Sequence, residues 1–242
     1  KTLFLMAGEV LLGGKQDRIV KDDTLIPPRK TVKVAVFCVE PGRWAPSESG
    51  MKFMASDALV APQVRLKAQW DESQSAVWEE TERVQRMVPG LMRRGTSYRN
   101  VLDSPGVRKA IRQKIRRLKR ALASDRRTCG LIVAINGQIR WMDLFANHSL
   151  LQKSLDRLLS AAVVQEMAEG RPAISRTPRI SEAQDFLKRA LTGRRVATRR
   201  SNQGFVTKVE SGRVVGIEMA APIAPGAPAA AAPVHMSAYQ RP

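Results

Sequence analysis

The sequence predicts an α+β fold, a single domain of antiparallel hairpins packed with several helices, beginning after its natural start. Three observations carry this expectation. The first 44 residues hold short β-branched apolar runs broken by glycine and proline. Two later stretches read strand–turn–strand, one about Asn136-Gly137 and one about Ser211-Gly212. Between and after them, four segments carry helix-start signals or apolar residues at helical spacing. At 242 residues and 43% hydrophobic, the chain is long and apolar enough for a packed core.

In chain order, Leu3 to Met6 reads as a strand, with no initiator methionine before it. Gly13-Gly14 marks a turn and Arg18 to Val20 a second short strand. Thr31 to Val39 alternates and then turns wholly apolar, a strand that enters the core and stops at Pro41-Gly42. Residues 45–72 show no clean period and read as a long loop with a short strand or two. Ser73 offers a cap for a helix over Ser75 to Val88. Ser104-Pro105 starts another, whose stripe Val107, Ile111, Ile115, Leu118, Leu122 is apolar. Gly130 to Phe145 is a hairpin, because the two central residues of a type I′ turn need positive φ and Asn-Gly tolerates it. Asn147 caps a helix from Ser149 to Ala168, and Ser181 with Gln184 suggests a capping box for a helix to Leu191. Gly204 to Met219 repeats the hairpin pattern. The domain is thus expected over 1–219, and the Ala/Pro-rich 220–242 as a disordered tail with no apolar face to bury.

Forty-one Lys and Arg stand against 22 Asp and Glu, a net charge of +19. Such an excess attracts nucleic acid without defining a site. Much of it lies on one helix and its flanks, from Arg83 to Arg127; the helix face from Arg108 to Arg120 offers weak nucleic-acid binding or contact with an anionic membrane surface, and the plainer reading is a solvated face. No aromatic residue interleaves with those cations, so base stacking is not supported. No apolar run is long enough to span a bilayer, two cysteines make no disulfide framework, and the expected location is the cytoplasm.

There is no phosphate-binding P-loop, no GxGxxG after a strand and no HExxH; the two histidines lie far apart and neither cysteine has a partner at metal spacing. Neither a metal nor another cofactor is expected. What remains is a polar constellation. Glu9, Lys15, Gln16, Asp17 and Arg18 surround the glycine turn, and Cys38, Glu40, Arg43 and Trp44 follow the core strand. Glu9 and Glu40 are candidates for general acid or base, provided burial raises a pKa. Arg18 and Arg43 are candidates for holding a carboxylate or phosphate. Cys38 reads either as a nucleophile or as a small buried hydrophobe. The plainer reading pairs Glu9 or Glu40 with Arg18 or Arg43 in a salt bridge tying two strands. Trp78 reads as a core anchor, Asn136 as a turn residue, and Asp143 as a cap-like acceptor or a site residue.

These segments resemble a known family. Leu5-Met6-Ala7-Gly8-Glu9-Val10-Leu11-Leu12-Gly13-Gly14-Lys15-Gln16-Asp17-Arg18 is similar to its "GEELVGGKQNR" motif, with Asp17 where asparagine is common. Cys38 to Trp44 resembles "CVExGRW", Gln74 with Val77-Trp78 resembles "DQxxVW", and Val133 to Phe145 resembles "VAINGxxxxxDLF". The family is the ARG and rhodanese-phosphatase-superfamily-associated protein domain, a prokaryotic family in which ARG denotes ADP-ribosylglycohydrolase. The resemblance implies one α+β domain and a genomic association with ADP-ribose- and phosphate-removing enzymes; with the two polar motifs it suggests an accessory domain that binds or processes an ADP-ribose-linked or nucleotide-like small molecule. It marks Glu9, Gln16, Arg18, Cys38, Glu40, Arg43, Asn136 and Asp143 as site candidates. Two alternatives stand beside it, a nucleic-acid-associated protein using the 105–122 helix and a structural module that binds a protein partner.

Overall fold

In the computed structural model, residues 1–42, 52–91, 95–121, 125–170, 176–223 and 231–241 are described. Five short strands open the chain: β1 (Leu3–Leu5), β2 (Glu9–Gly13), β3 (Arg18–Val20), β4 (Thr24–Ile26) and β5 (Val36–Cys38). Then come β6 (Phe53–Leu59) and the helix α1 (Pro62–Leu66), which runs on into a π-helical turn over Lys67–Asp71. The helices α2 (Gln74–Met87), α3 (Arg99–Asp103) and α4 (Pro105–Ala121) lead to the hairpin β7 (Gly130–Ile135) and β8 (Gln138–Phe145). The chain ends with α5 (His148–Glu169), α6 (Ile180–Thr192), β9 (Arg194–Ser201), β10 (Gly204–Ser211), β11 (Val214–Pro222) and β12 (Ala231–Gln240).

The strands form three antiparallel sheets: β1-β4, β5-β3-β2-β6, and a six-stranded sheet in the order β7-β8-β12-β11-β10-β9. The α+β class therefore stands. In the large sheet the side chains alternate between two buried faces. Met142, Met236, Ala238, Val209 and Val214 lie against Phe186 and Ala190 of α6. On the other face Trp141, Val206, Val215, Ile217 and Tyr239 pack with Leu66 and Ala162. Helix α5 is apolar around much of its circumference because it is the hub. It gives Leu151, Leu155, Leu158 and Leu159 to a cluster with Met6, Leu59 and Phe145, and Val164 and Ala168 to the core beneath the four-stranded sheet.

Local signals set several elements where the sequence predicts them. Ser73 accepts from Ala76 N–H (3.3 Å), Asn147 accepts from Leu150 N–H (3.0 Å), and Asn136 and Gly137 both have positive φ, at 54° and 76°. Four expectations change. Residues 231–240 are not a disordered tail; β12 sits between β8 and β11, so the domain runs well past 219, while 224–230 lie outside the described residues. The 45–72 stretch contains β6, α1 and the π-helical turn, whose Val64, Leu66 and Ala68 are buried. Helix α6 starts two residues before Ser181-Gln184 would cap it, with Arg179 N–H donating to Glu182 (3.4 Å). The arginine-rich β9 is a strand that the sequence does not announce, and only Val36–Cys38 of the predicted Thr31–Val39 strand is paired.

Candidate functional site

The glycine turn after β2 is closed by its own aspartate: Asp17 Oδ1 accepts from Gly13 N–H at 2.9 Å. Asp17 Oδ2 accepts from Ser97 Oγ (2.8 Å), and Asp17 N–H donates to Glu40 Oε2 (2.9 Å). Gln16 Nε2 donates to the Glu40 carbonyl at 3.1 Å, and Val39 N–H to the Asp17 carbonyl at 3.0 Å. From α2, the Gln74 amide clasps Cys38 as a neighbouring strand would. Its Oε1 accepts from Cys38 N–H (2.9 Å) and its Nε2 donates to Cys38 O (2.8 Å). Three of the four motif segments thus meet in one knot. Gln16, Asp17, Cys38 and Glu40 are all buried, and they make hydrogen bonds within the protein, as buried polar groups must.

Beside this knot opens a cleft of about 500 Å³, lined by Pro41, Trp78, Glu82, Gln85, Gly95 and Thr96. Gln85 Nε2 donates to the carbonyls of Thr96 (3.0 Å) and Ser97 (2.7 Å), and Thr96 Oγ1 donates to the Pro41 carbonyl, so the rim is tied to the knot. Trp78 supplies an aromatic wall, and its Nε1–H has no acceptor among the described residues. Glu82, exposed and 3.7 Å from Arg86, adds a carboxylate. Trp78 is half-buried at the cleft rather than a core anchor.

A second polar cluster is fully enclosed. Asp143 Oδ1 accepts from Arg65 Nη2 and lies 3.1 Å from His235 Nε2; His235 Nδ1 lies 2.5 Å from Asp23 Oδ2. Asp23 Oδ1 accepts from Ala7 N–H (2.8 Å). Arg65 Nε donates to the Tyr239 hydroxyl, which donates to Gln69 Oε1 at 3.0 Å, as does Ser237 Oγ at 3.1 Å. Arg65, Asp143, His235 and Asp23 are at most 2% exposed. Burial opposes charge on His235, but Asp23 and Asp143 outweigh it and push its pKa up to about 9. Burial likewise works against the Asp143 carboxylate, and Arg65 with His235 holds it below its ordinary value. Two cations therefore face two anions, a balance that a dry site requires. Gly8 has φ +86°, and a Cβ there would stand 2.9 Å from Arg65 Cδ, so the backbone of the first motif seats this arginine only as glycine.

The remaining candidates divide between these places. Glu9 is buried beside the enclosed cluster, accepting from Met6 N–H (3.0 Å) and paired with Arg157 at 2.7 Å. Burial raises its pKa against both of those partners. Its ion pair among the described residues is thus with α5 and not with Arg18. Arg18 sits opposite Cys38 and Leu11 in the sheet and forms no ion pair among the described residues; Arg43 lies outside them. Asn136 holds the hairpin turn and donates to Gly170 O at the end of α5 (2.9 Å), away from the knot in the bonding network. Cys38 Sγ lies 3.4 Å from both Glu40 N and Glu40 O, within the knot. No group of His, Cys, Asp and Glu among the described residues is arranged to hold a metal ion. Sequence reasoning missed Arg65, Asp23, Gln69 and Tyr239, and set His235 aside with the tail. Arg65 and Asp143 are 78 residues apart and His235 and Asp23 are 212 apart, so no local spacing announces them.

The fold and the knot define a class: an α+β domain whose motif segments are bonded to one another beside an open cleft. The family model described as the ARG and Rhodanese-Phosphatase-superfamily-associated Protein domain matches residues 1–239, and the chain belongs to that family. No curated protein and no solved structure matches it. The match runs through β12, in agreement with its place inside the sheet. No helix among the described residues is long and apolar enough to cross a membrane.

Proposed function

We propose that this domain is an accessory binding module that takes a nucleotide-like small molecule in the Trp78 cleft. The observation that supports it is the meeting of three motif segments in a knot that fixes the cleft's rim against an aromatic wall at Trp78. A rigid frame around an aromatic wall suits a planar base or a sugar stacked on Trp78, with Glu82 for hydroxyl or amino donors. The family's description, which pairs it with ADP-ribosylglycohydrolase and phosphatase partners, favours a ligand from ADP-ribose-linked metabolism. Cys38, Glu40 and Gln16 serve in this reading as the frame, since their groups already bond within the knot. Binding rather than turnover is the role proposed.

A thermal-shift screen with ADP-ribose, NAD, nucleotides and phosphates tests this. A ligand at about a hundredfold its Kd adds roughly 2.7 kcal/mol, which is roughly 5–10 °C for a chain of this size. The shift should disappear in Trp78→Ala and shrink in Glu82→Gln, a surface change that leaves the fold in place. No shift with any of these ligands, or one that both variants retain, rejects the reading.

A second reading rests on α4. Lys114 pairs with Glu166, Lys119 with Asp156 (2.5 Å) and Arg108 with Asp103 (2.5 Å), yet Lys109, Arg112, Arg117 and Arg120 form no ion pair among the described residues. We propose weak, sequence-independent nucleic-acid binding on this face. Affinity for a single-stranded oligonucleotide should fall steeply with salt, and Arg112→Ser with Arg120→Ser should lower the slope of log K against log salt by about 0.7 for each phosphate that is no longer neutralised. A salt-independent affinity, or a slope that the substitutions leave unchanged, counts against it.

A further inference from the structure

A pocket of about 400 Å³ lies where α6 crosses the neighbouring ends of β8, β12 and β11. Five arginines line it: Arg140, Arg176, Arg189, Arg213 and Arg241. Two acids line it as well, and both are already engaged. Glu182 is held through both oxygens by Arg176 (2.7 and 2.8 Å), and Asp185 by Arg189 (2.8 Å).

The other three arginines have no carboxylate within the pocket. Arg140 reaches Glu169 at 2.7 Å, outside the lining, and its Nε–H has no acceptor among the described residues. Arg241 reaches Glu210 at 3.4 Å, a carboxylate that Arg194 shares at 3.6 Å, and its guanidinium lies 4.9 Å from the centre of the Trp70 ring. Arg213 is exposed and forms no ion pair among the described residues. The lining thus carries five arginines against two acids, with Arg213 the one guanidinium that forms no ion pair among the described residues. Ile139, Phe186 and Val214 add apolar wall beside these cations, and a concave surface of one sign attracts an anion.

We propose that this pocket binds a phosphate group, free or carried on a small organic molecule. The guanidinium fork matches phosphate oxygens through paired donors, and a dianion neutralises more of the surplus than a carboxylate does. The volume exceeds what a bare phosphate fills, leaving room for an organic part along Ile139 and Val214. The site is separate from the Trp78 cleft and shares no lining residue with it.

Isothermal titration at constant ionic strength with inorganic phosphate, ribose 5-phosphate and ribose tests the proposal. Both phosphates should bind at one site and ribose should not; a tighter Kd for ribose 5-phosphate identifies an organic phosphate as the natural occupant, and equal values identify the free anion. Arg213→Ser and Arg241→Gln should each weaken binding by about tenfold or more, the usual loss of a charge-assisted hydrogen bond. Arg120→Ser, on α4, and Trp78→Ala should leave it unchanged, which keeps this result apart from that of the cleft. If neither phosphate binds, if ribose binds equally well, or if both pocket variants keep the wild-type Kd while retaining the wild-type melting temperature, the proposal is wrong.

Discussion

His235 carries its proton at neutral pH because two carboxylates face it in a place that water does not reach. Its folded pKa, pushed up to about 9, lies above the ordinary 6.5. The stabilisation it gives is therefore complete below about pH 6.5 and is lost as pH rises through 9. The melting temperature should fall across that window. His235→Gln should melt lower at pH 6 and show a flatter profile from 6.5 to 9, because no proton is left to lose and two carboxylates are left with one cation fewer. A wild-type profile that is level from pH 6.5 to 9 would contradict the assignment. The same residue shows how far sequence reading reaches. Nothing near position 235 speaks of a charge network, since its partners come from β8 and from the loop after β3.

Elements with a local signature were legible, and those defined by a neighbour were not. Ser73 and Asn147 cap their helices with their own side chains, and Asn136-Gly137 turns its hairpin through positive φ. β9 carries Arg194, Arg195, Arg199 and Arg200, and reads as surface; it is one of the two edge strands of its sheet, where such charges deter further pairing. β12 misled for another reason. Alanine and proline gave it no apolar period, yet Pro233 falls where the register with β11 shifts, a place that tolerates a missing N–H. Truncation after residue 230 should therefore abolish cooperative folding, because it opens β8 and β11 and removes His235 and Tyr239 together. Near-UV circular dichroism and a thermal melt would show this; a truncated chain with the wild-type melting temperature would refute it.

Across the whole molecule, charge ties the N-terminal part of the chain to the six-stranded sheet. Asp23 and Arg65 come from the N-terminal part, while Asp143, His235 and Tyr239 come from the six-stranded sheet. Glu72 adds a partly exposed link, bound to Lys21 (2.6 Å) and to Lys208 (2.7 Å). Burial works against its carboxylate, and the two lysines outweigh that and hold its pKa at about 2. Much of the +19 is exposed: the α4 face, the arginine edge of β9 and the arginine pocket beside α6. By itself the sequence determined the fold class, the capped helices, the Asn-Gly hairpin and the motif segments, because each follows from short-range backbone preference or from a run of adjacent residues. Only the tertiary structure decided which of those polar residues are neighbours, that residues 231–240 form a central strand, and that Asp143 belongs with Arg65 and His235 instead of Glu40. Those outcomes depend on contacts between residues tens to hundreds of positions apart, whose desolvation and charge balance exist only once the sheets have closed on each other.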